Sequence, residues 1–597
     1  MPHVLLRMFI KAIFITALAT LRVASAHKSC RILPGDSSWP TEDVWDAFNH
    51  SIDGRLIKTI PIGSPCHDPT FDEEECNKVR SNWHNPAFHE PHASSVMDPI
   101  FLNKSCDPFD PRETPCRIGR YVQYAVNVST PDHVIETVRF VKKHNIRFVV
   151  KNTGHDYLGR STGTGAVSVW MHNLREVDFI SQFESSDYSG PAFKVNAGVL
   201  GFDLATEADK RGLVVVGGEC PTVGFAGGYI QGGGHSLLSS FHGMAADHTL
   251  EFEVITAQGE FVRASPTKHE DLYWALSGGG GGTYGIVWSV TVKAHQNLPI
   301  TIASINFTSE GLTPDTFWQA IDAYQALTPS LTDAKLWAIA QYSPAFFFLN
   351  PVFAVNKTTS EVSALLRPLL DTLDDLGVKY VSAVESHGSY LEAYNTLTFL
   401  KTFTVADILI GTRLLPRTLW EDESKLKSLK KTIRGLAESG AIVFEFVQRP
   451  TLEVGGNPDN AVLPAWRDTE RHFATILPLV DGQSFQDQTQ AQNRITTEFI
   501  PALKKLTPGS GAYNNEADFN DPDWKEAFYG SNYRRLLRIK NEWDPDQILY
   551  GAVSVGGDRW RETEEGRLCR TTTGVGSDDH EGRLVCQNPL DDGGRDL

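Results

Sequence analysis

Two residues of this chain have the type and the surroundings to bond covalently to a ligand. His155 lies in Lys151-Asn152-Thr153-Gly154-His155-Asp156-Tyr157-Leu158-Gly159-Arg160-Ser161-Thr162-Gly163. Cys220 lies in Gly217-Gly218-Glu219-Cys220-Pro221-Thr222-Val223-Gly224. Each is a nucleophile inside a glycine-rich turn, where main-chain N–H groups can approach an anionic ligand closely. A nucleophile beside such a cradle can become attached to what the cradle holds. As a pair they point to a flavin held through two side chains, and so to redox chemistry. Taken singly, the first loop also suits a plain turn between strands, and Cys220 a buried thiol or half a disulfide. A third stretch, Gly227-Gly228-Tyr229-Ile230-Gln231-Gly232-Gly233-Gly234-His235-Ser236, lets backbone pass close to a flat ligand. Its apolar flanks, ending in Leu237-Leu238, argue against a flexible linker.

These motifs match residue for residue those of a known family. On them the chain resembles the berberine-bridge-enzyme group of FAD-linked oxidases within the vanillyl-alcohol-oxidase superfamily. It is most similar to the fungal secreted branch that includes isoamyl-alcohol-oxidase-like proteins and secondary-metabolite oxidases. The motifs carry the resemblance over roughly 117–300 and 510–560; length and position carry it over 301–510. It implies covalent FAD, with His155 bonded to the 8α-methyl of the ring and Cys220 to C6. It also implies cofactor contacts from Asn152, Thr153, Gly154, Asp156, Tyr157, Gly159, Ser161, Gly218, Thr222, Val223, Gly227, Gly228, Gly232, Gly233, Gly234, Ile286 and Asn532. Val223 stands where the family's plant members gate oxygen, and valine there implies O2 as acceptor. Oxidation by hydride transfer needs a group that takes the substrate's proton. Three candidates stay open: Tyr513 with Asn515, His235 after the glycine triplet, and Glu445 in Val443-Phe444-Glu445-Phe446-Val447. The competing reading of Glu445 is the polar face of an alternating strand.

Other motifs carry less. Gly280-x-Gly282-x-x-Gly285 has the dinucleotide spacing, but that fingerprint needs a following helix. The β-branched run from Ile286 to Val292 reads as a strand, which excludes a nicotinamide site. His84, His89 and His92 have no zinc spacing and read as surface loop, so no metal is expected.

The elements that must position these residues show in the periodicity. Tyr121–Val128 alternates like a strand, Pro131–His144 reads as a helix, and Arg147–Val150 is an apolar strand leading into the His155 loop. Strand-like runs follow at Ala166–Trp170, Lys194–Gly198 and Leu250–Thr256. Past Pro299 glycine thins out, and helical patterns (Pro314–Leu327, Glu361–Leu376) alternate with apolar runs (Leu336–Ala340, Phe346–Val355). The expected class is α+β, a PCMH-type, vanillyl-alcohol-oxidase-like FAD-binding domain at 117–300 with an antiparallel-sheet-and-helix substrate domain at 301–510. A segment at 511–560 returns to the first domain. Residues 27–116, rich in Pro and Cys, read as a disulfide-stapled extension wrapped on the body, and 561–597 as a loosely packed polar tail.

Length, charge and termini agree. The 597 residues suit two lobes of roughly 150–250 residues. A formal net charge of −18 excludes nucleic acid and anionic membrane as partners, since both need basic surface. Arg7 and Lys11, the apolar run Ile13–Leu21 and Ala24-Ser25-Ala26 form a signal peptide at 1–26, so the protein is expected to be secreted. Sequons at Asn49, Asn103, Asn127, Asn306 and Asn356 and eight cysteines fit that route. Cys569–Cys586 is the expected first pair. The expected function is oxidation of an alcohol, amine or C–N centre of a small molecule, with H2O2 released. A secondary-metabolite tailoring enzyme and, more remotely, a secreted flavin- or sugar-binding protein without turnover are the alternatives.

Overall fold

The helix Pro131–His144 begins on a proline, carries Asp132 in its first turn and Lys142, Lys143 and His144 in its last, and stops at Asn145 with φ 56°. The computed structural model describes residues 30–397 and 408–571; the expected signal peptide, Cys586 and most of the polar tail lie outside them. Val134, Val138 and Val141 form the helix's buried stripe. It packs on a sheet of β1 (Leu56–Lys58), β2 (Tyr124–Asn127), β3 (Phe148–Lys151) and β4 (Val167–Trp170), in the order β1-β2-β4-β3. β2 and β3 run parallel to β4, while β1 is antiparallel to β2. The 27–116 segment is therefore more than a wrapping. It supplies β1, and Trp45 and Phe48 of the helix Glu42–Ser51 enter the same core beside Phe140.

The next strands are β5 (Val177–Glu184), β6 (Ser189–Asn196), β7 (Leu213–Val214), β8 (Thr249–Ile255), β9 (Phe261–Ala264), β10 (Ile286–Lys293) and β11 (His295–Gln296). Five make an antiparallel sheet ordered β5-β6-β10-β8-β9, and β7 pairs with β11. β10 follows Gly285 directly, so the Gly280-x-Gly282-x-x-Gly285 run feeds a strand and not a helix.

A seven-stranded antiparallel sheet comes after it. Its strands are β12 (Ile300–Thr308), β13 (Trp337–Tyr342), β14 (Phe346–Val355), β15 (Tyr380–His387), β16 (Ile408–Pro416), β17 (Ile442–Val447) and β18 (Thr469–Pro478), ordered β15-β12-β14-β13-β17-β18-β16. Period-two alternation sends neighbours to opposite faces. On β17, Phe444 and Phe446 point to a large cavity, and Glu445 points the other way. Glu445 is fully buried there under the helix Pro314–Asp333. It pairs with Arg471 at 2.7 Å and accepts hydrogen bonds from Tyr324 (2.8 Å), Tyr342 (2.8 Å) and Gln325 (3.1 Å). This corrects both expectations for Glu445. The face it occupies is covered rather than wet, and the cavity lies on the far side of the sheet.

Three disulfides join Cys30–Cys569, Cys66–Cys76 and Cys106–Cys116. Cys569 thus pairs with the start of the described chain and not with Cys586. Its strand β20 (Leu568–Arg570) forms a hairpin with β19 (Trp560–Glu562), so the first part of the expected loose tail is packed. The histidine loop also differs from expectation at one residue. His89 is 1% exposed, its Nε2 2.6 Å from the Trp83 carbonyl and its Nδ1 2.8 Å from Ser95 Oγ. No helix among the described residues is long and apolar enough to cross a membrane. Of the sequons, Asn103 and Asn356 are exposed, while Asn49, Asn127 and Asn306 are partly buried.

Candidate active site

β3 delivers the chain into the His155 loop. Gly154 turns there at φ 89°, and a Cβ on it would stand 2.9 Å from the Ser95 carbonyl, so only glycine fits. Asp156 folds the loop upon itself. Its carboxylate accepts from Leu158 N (3.2 Å), Ser161 N (3.1 Å), Arg160 N and Arg160 Nε (3.0 Å). His155 is left facing the cavity with its Nε2 2.6 Å from Thr222 Oγ1. Burial, with a smaller push from His89, drives its pKa down to about 3, so the imidazole is neutral and keeps a lone pair.

Cys220 opens on the same cavity as a free thiol. Burial first, then the charges of Glu219 and Glu516, push it up to about 12. Backbone of Gly224, Gly227, Gly228, Gly281 and Gly282 lines the space between the loops, with Val223 beside Cys220. Asn152 and Gln231 line this space, and their Oδ1 and Oε1 are buried without a hydrogen-bond partner among the described residues. The C-terminal Tyr513-Asn514-Asn515 segment closes one side. Asn515 Nδ2 donates to the Gly228 carbonyl and to Tyr513 Oη, both at 2.8 Å, and its Oδ1 accepts from Arg160 at 3.2 Å. A Cβ on Gly232 would stand 2.4 Å from Asn515 Nδ2, so this glycine serves a close approach of backbone rather than the cavity wall.

One end of the cavity is polar. His235 Nδ1 lies 3.3 Å from Glu219 and its Nε2 3.2 Å from Glu516. Burial pulls His235 down, but the two carboxylates outweigh it and hold it at about 10. His235 is therefore a proton holder at neutral pH and unsuited to accept one. Burial raises Glu516, yet His235 prevails and keeps its carboxyl below the usual range. Tyr513 is driven up by burial and by Glu516, so its phenol keeps its proton. His472 of β18 lies fully buried, stacked on Phe446, with no hydrogen-bond partner for either ring nitrogen among the described residues. Burial pushes it down to about 3, against the pull of Glu516 at 3.7 Å. His235, His472 and Glu516 each place a ligand atom within 4.8 Å of the others. Glu219, Glu516 and His472 were not singled out from the sequence. Glu219 precedes Cys220 and Glu516 follows Asn515, so adjacency to the motifs was the available signal.

The cavity gathers Asn152, Thr153, Gly154, His155, Asp156, Tyr157, Ser161, Gly218, Cys220, Val223, Gly227, Gly228, His235, Tyr513 and Asn515. Gly159, Thr222, Gly232, Gly233, Gly234, Ile286 and Asn532 stand outside its lining. Asn532 instead donates to the carbonyls of Ala461 (3.2 Å) and Val462 (3.3 Å), and Ile286 sits in the core of β10.

Two family models match this chain: an FAD binding domain at residues 122–265, and a berberine and berberine-like segment at 512–556. FAD-linked oxidoreductase patO of Penicillium expansum is 41% identical over 564 residues, covering 94% of this chain and 98% of that protein. The chain belongs to the berberine-bridge-enzyme-like, vanillyl-alcohol-oxidase-type FAD-linked oxidoreductases. Bifunctional decalin synthase calF of Penicillium decumbens is 39% identical over 557 residues, 91% of this chain and 96% of that one. The crystal structure of VAO-type flavoprotein MtVAO615 from Myceliophthora thermophila C1 superposes with a TM-score of 0.85 at 36% identity, covering 91% of this chain and 100% of that chain. The PCMH-type fold and the oxidoreductase class expected from the motifs are thus shown. The residues present fit FAD. Glycine backbone lines a cavity whose walls include both Leu549 and Tyr550 and Cys220, and Asn152 and Gln231 of that lining carry buried oxygens without a hydrogen-bond partner among the described residues.

Proposed function

We propose that this FAD-linked oxidoreductase is a secreted oxidase with FAD bonded to both His155 and Cys220. It takes a hydride from a carbon bearing a hydroxyl or amine, or from a C–N centre, of a small organic substrate. One observation carries the reading: two nucleophiles from separate glycine-rich loops face one cavity, with a proton-transfer cluster at its end. Bound FAD supplies the two-electron acceptor, and O2 takes the electrons on to H2O2.

The chain supplies binding and proton handling. Thr222 engages Nε2 of His155, which leaves Nδ1 for the bond to the cofactor. Tyr513 and Asn515 remain the family's candidates at this place, yet the Tyr513 phenol keeps its own proton, whereas the Glu516 carboxylate is ionised and free to take one. In the oxidation of a carbinol the C–H leaves as hydride, the O–H proton passes to Glu516, and a carbonyl remains. His235 holds Glu516 in place. Tyr513 with Asn515 orients the hydroxyl. Val223 supports O2 as acceptor, being small and beside Cys220. Three disulfides support a secretory route.

Acid precipitation and peptide mass mapping test the reading. Flavin mass is expected on the His155 peptide and on the Cys220 peptide, and its absence from both would falsify the proposal. Peroxide release over a panel of alcohols and amines then tests the acceptor.

A second reading rests on the names of similar proteins, patO and the decalin synthase calF. The same site would then tailor a secondary metabolite, an alkaloid or polyketide, by oxidative cyclisation or desaturation. A product that has lost two hydrogens and gained a ring or a C=C bond, with no new carbonyl, distinguishes it.

A further inference from the structure

The side of the cavity opposite the glycine loops is built by the seven-stranded sheet. Alternation presents Ile339 of β13, Ile410 of β16, Phe444 and Phe446 of β17, and Ala474 and Ile476 of β18. The register sets these side by side: Phe444 faces Ala474, Ile410 faces Ile476, and Ile339 faces Phe446. The same alternation removes every charge of this patch to the far face, where Glu445 and Arg471 pair under the helix Pro314–Asp333. The wall offers no hydrogen-bonding side chain. Tyr157 of the His155 loop packs its ring on this wall, and the Arg160–Asp156 pair stays within that loop. The remaining charges of the lining gather in one cluster, where Glu219 and Glu516 outnumber the single imidazolium of His235.

We infer that the substrate is a neutral, largely apolar alcohol whose ring or hydrocarbon body packs on this wall and whose one hydroxyl reaches Glu516. The inference rests on the oxidase reading above and narrows its substrate class. A sugar would bury hydroxyls against phenyl and branched aliphatic side chains, losing water without gaining a partner. A carboxylic acid would bring a negative charge to an end that already carries an excess carboxylate. A neutral hydroxyl donates to Glu516 and leaves no polar atom on the wall.

The test is a titration of the yellow holoprotein, read as perturbation of the flavin absorbance. The probes are 2-naphthalenemethanol, 2-naphthoic acid and cellobiose. The alcohol is expected to bind at least tenfold more tightly than the acid, and cellobiose to leave the spectrum unchanged. Phe446→Gln and, as a second variant, Ile410→Thr are expected to weaken the alcohol's binding at least tenfold. Phe348→Ser, at an exposed site on β14, is expected to leave it unchanged. Cellobiose or naphthoate binding as tightly as the alcohol overturns the inference. So does undiminished affinity in both wall variants, or binding of none of the three probes. A colourless protein without flavin on the His155 and Cys220 peptides counts against the oxidase reading instead. Quenching of naphthyl fluorescence on that protein still tests the wall.

Discussion

Glu516 and His235 share one proton, and their neighbours decide which of them holds it. With Glu219 on the other side, the imidazolium keeps it and the carboxylate stays free to accept. Glu516→Gln is therefore expected to lower turnover by about 10²- to 10⁴-fold, the range for losing a general base, with flavin content unchanged. Turnover equal to the parent protein's would remove Glu516 from the reaction. Because the Glu516 carboxyl titrates below the usual carboxylate range, turnover should hold through neutral pH and fall only under strongly acidic conditions. Val223→Leu is expected to slow reoxidation in air while leaving anaerobic reduction by substrate unchanged, as stopped-flow absorbance would show. The two proposed attachment residues differ in readiness. His155 is neutral and nucleophilic across the ordinary pH range, whereas Cys220 must lose a proton that burial and two carboxylates defend. In reconstitution of unflavinylated protein, flavin mass should appear on the His155 peptide before the Cys220 peptide, and alkaline pH should narrow the delay. Simultaneous labelling at all pH values would speak against it.

Among the elements, β17 and β18 hold both the cavity wall and its opposite, a buried charge network. Arg471→Met leaves Glu445 buried without its cation and is expected to cost about 3–5 kcal/mol in denaturant unfolding. Replacing Glu445 by Leu in the same chain should recover much of that loss, because the uncompensated charge is gone. A double variant as unstable as Arg471→Met alone would mean that packing, not charge, sets the cost. The same strands show where sequence stops informing. The helix Pro131–His144 was legible to the residue, since proline, flanking charges and an asparagine cap mark its ends. β14 was legible as an apolar run. β18 was not, because both its faces are buried and no polar alternation betrays a strand or shows that His472 faces the site. Glu445 showed its alternation but not what covers it, and a lone carboxylate among apolar residues reads as solvent-facing until the helix above is known. At the site, the motifs located His155 and Cys220. Glu219 and Glu516 meet His235 only through tertiary pairing between segments far apart in the chain.

For the molecule as a whole, one set of buried histidines works against the folded state in acid. Burial chiefly holds His89, His92, His172 and His295 near 4, and His242 and His472 near 3. In the unfolded chain they titrate near 6.5, so the unfolded state binds protons that the folded state refuses. Their contribution is complete above about pH 6.5 and is lost progressively as pH falls through about 4. The thermal midpoint should drop from neutral pH to about pH 4.5, and a His242→Asn/His295→Asn variant should show a shallower fall. An identical slope in that variant would assign acid sensitivity to the carboxylates. Cys569→Ser should cost about 2–5 kcal/mol, the usual range for removing a native disulfide. That bond has another consequence. Cys30 and Cys569 stand 539 residues apart, so the main chain between them is a closed ring. A protease that nicks this ring once releases no fragment. The nicked protein should migrate undivided on an unreduced gel and separate into two pieces only after a thiol is added.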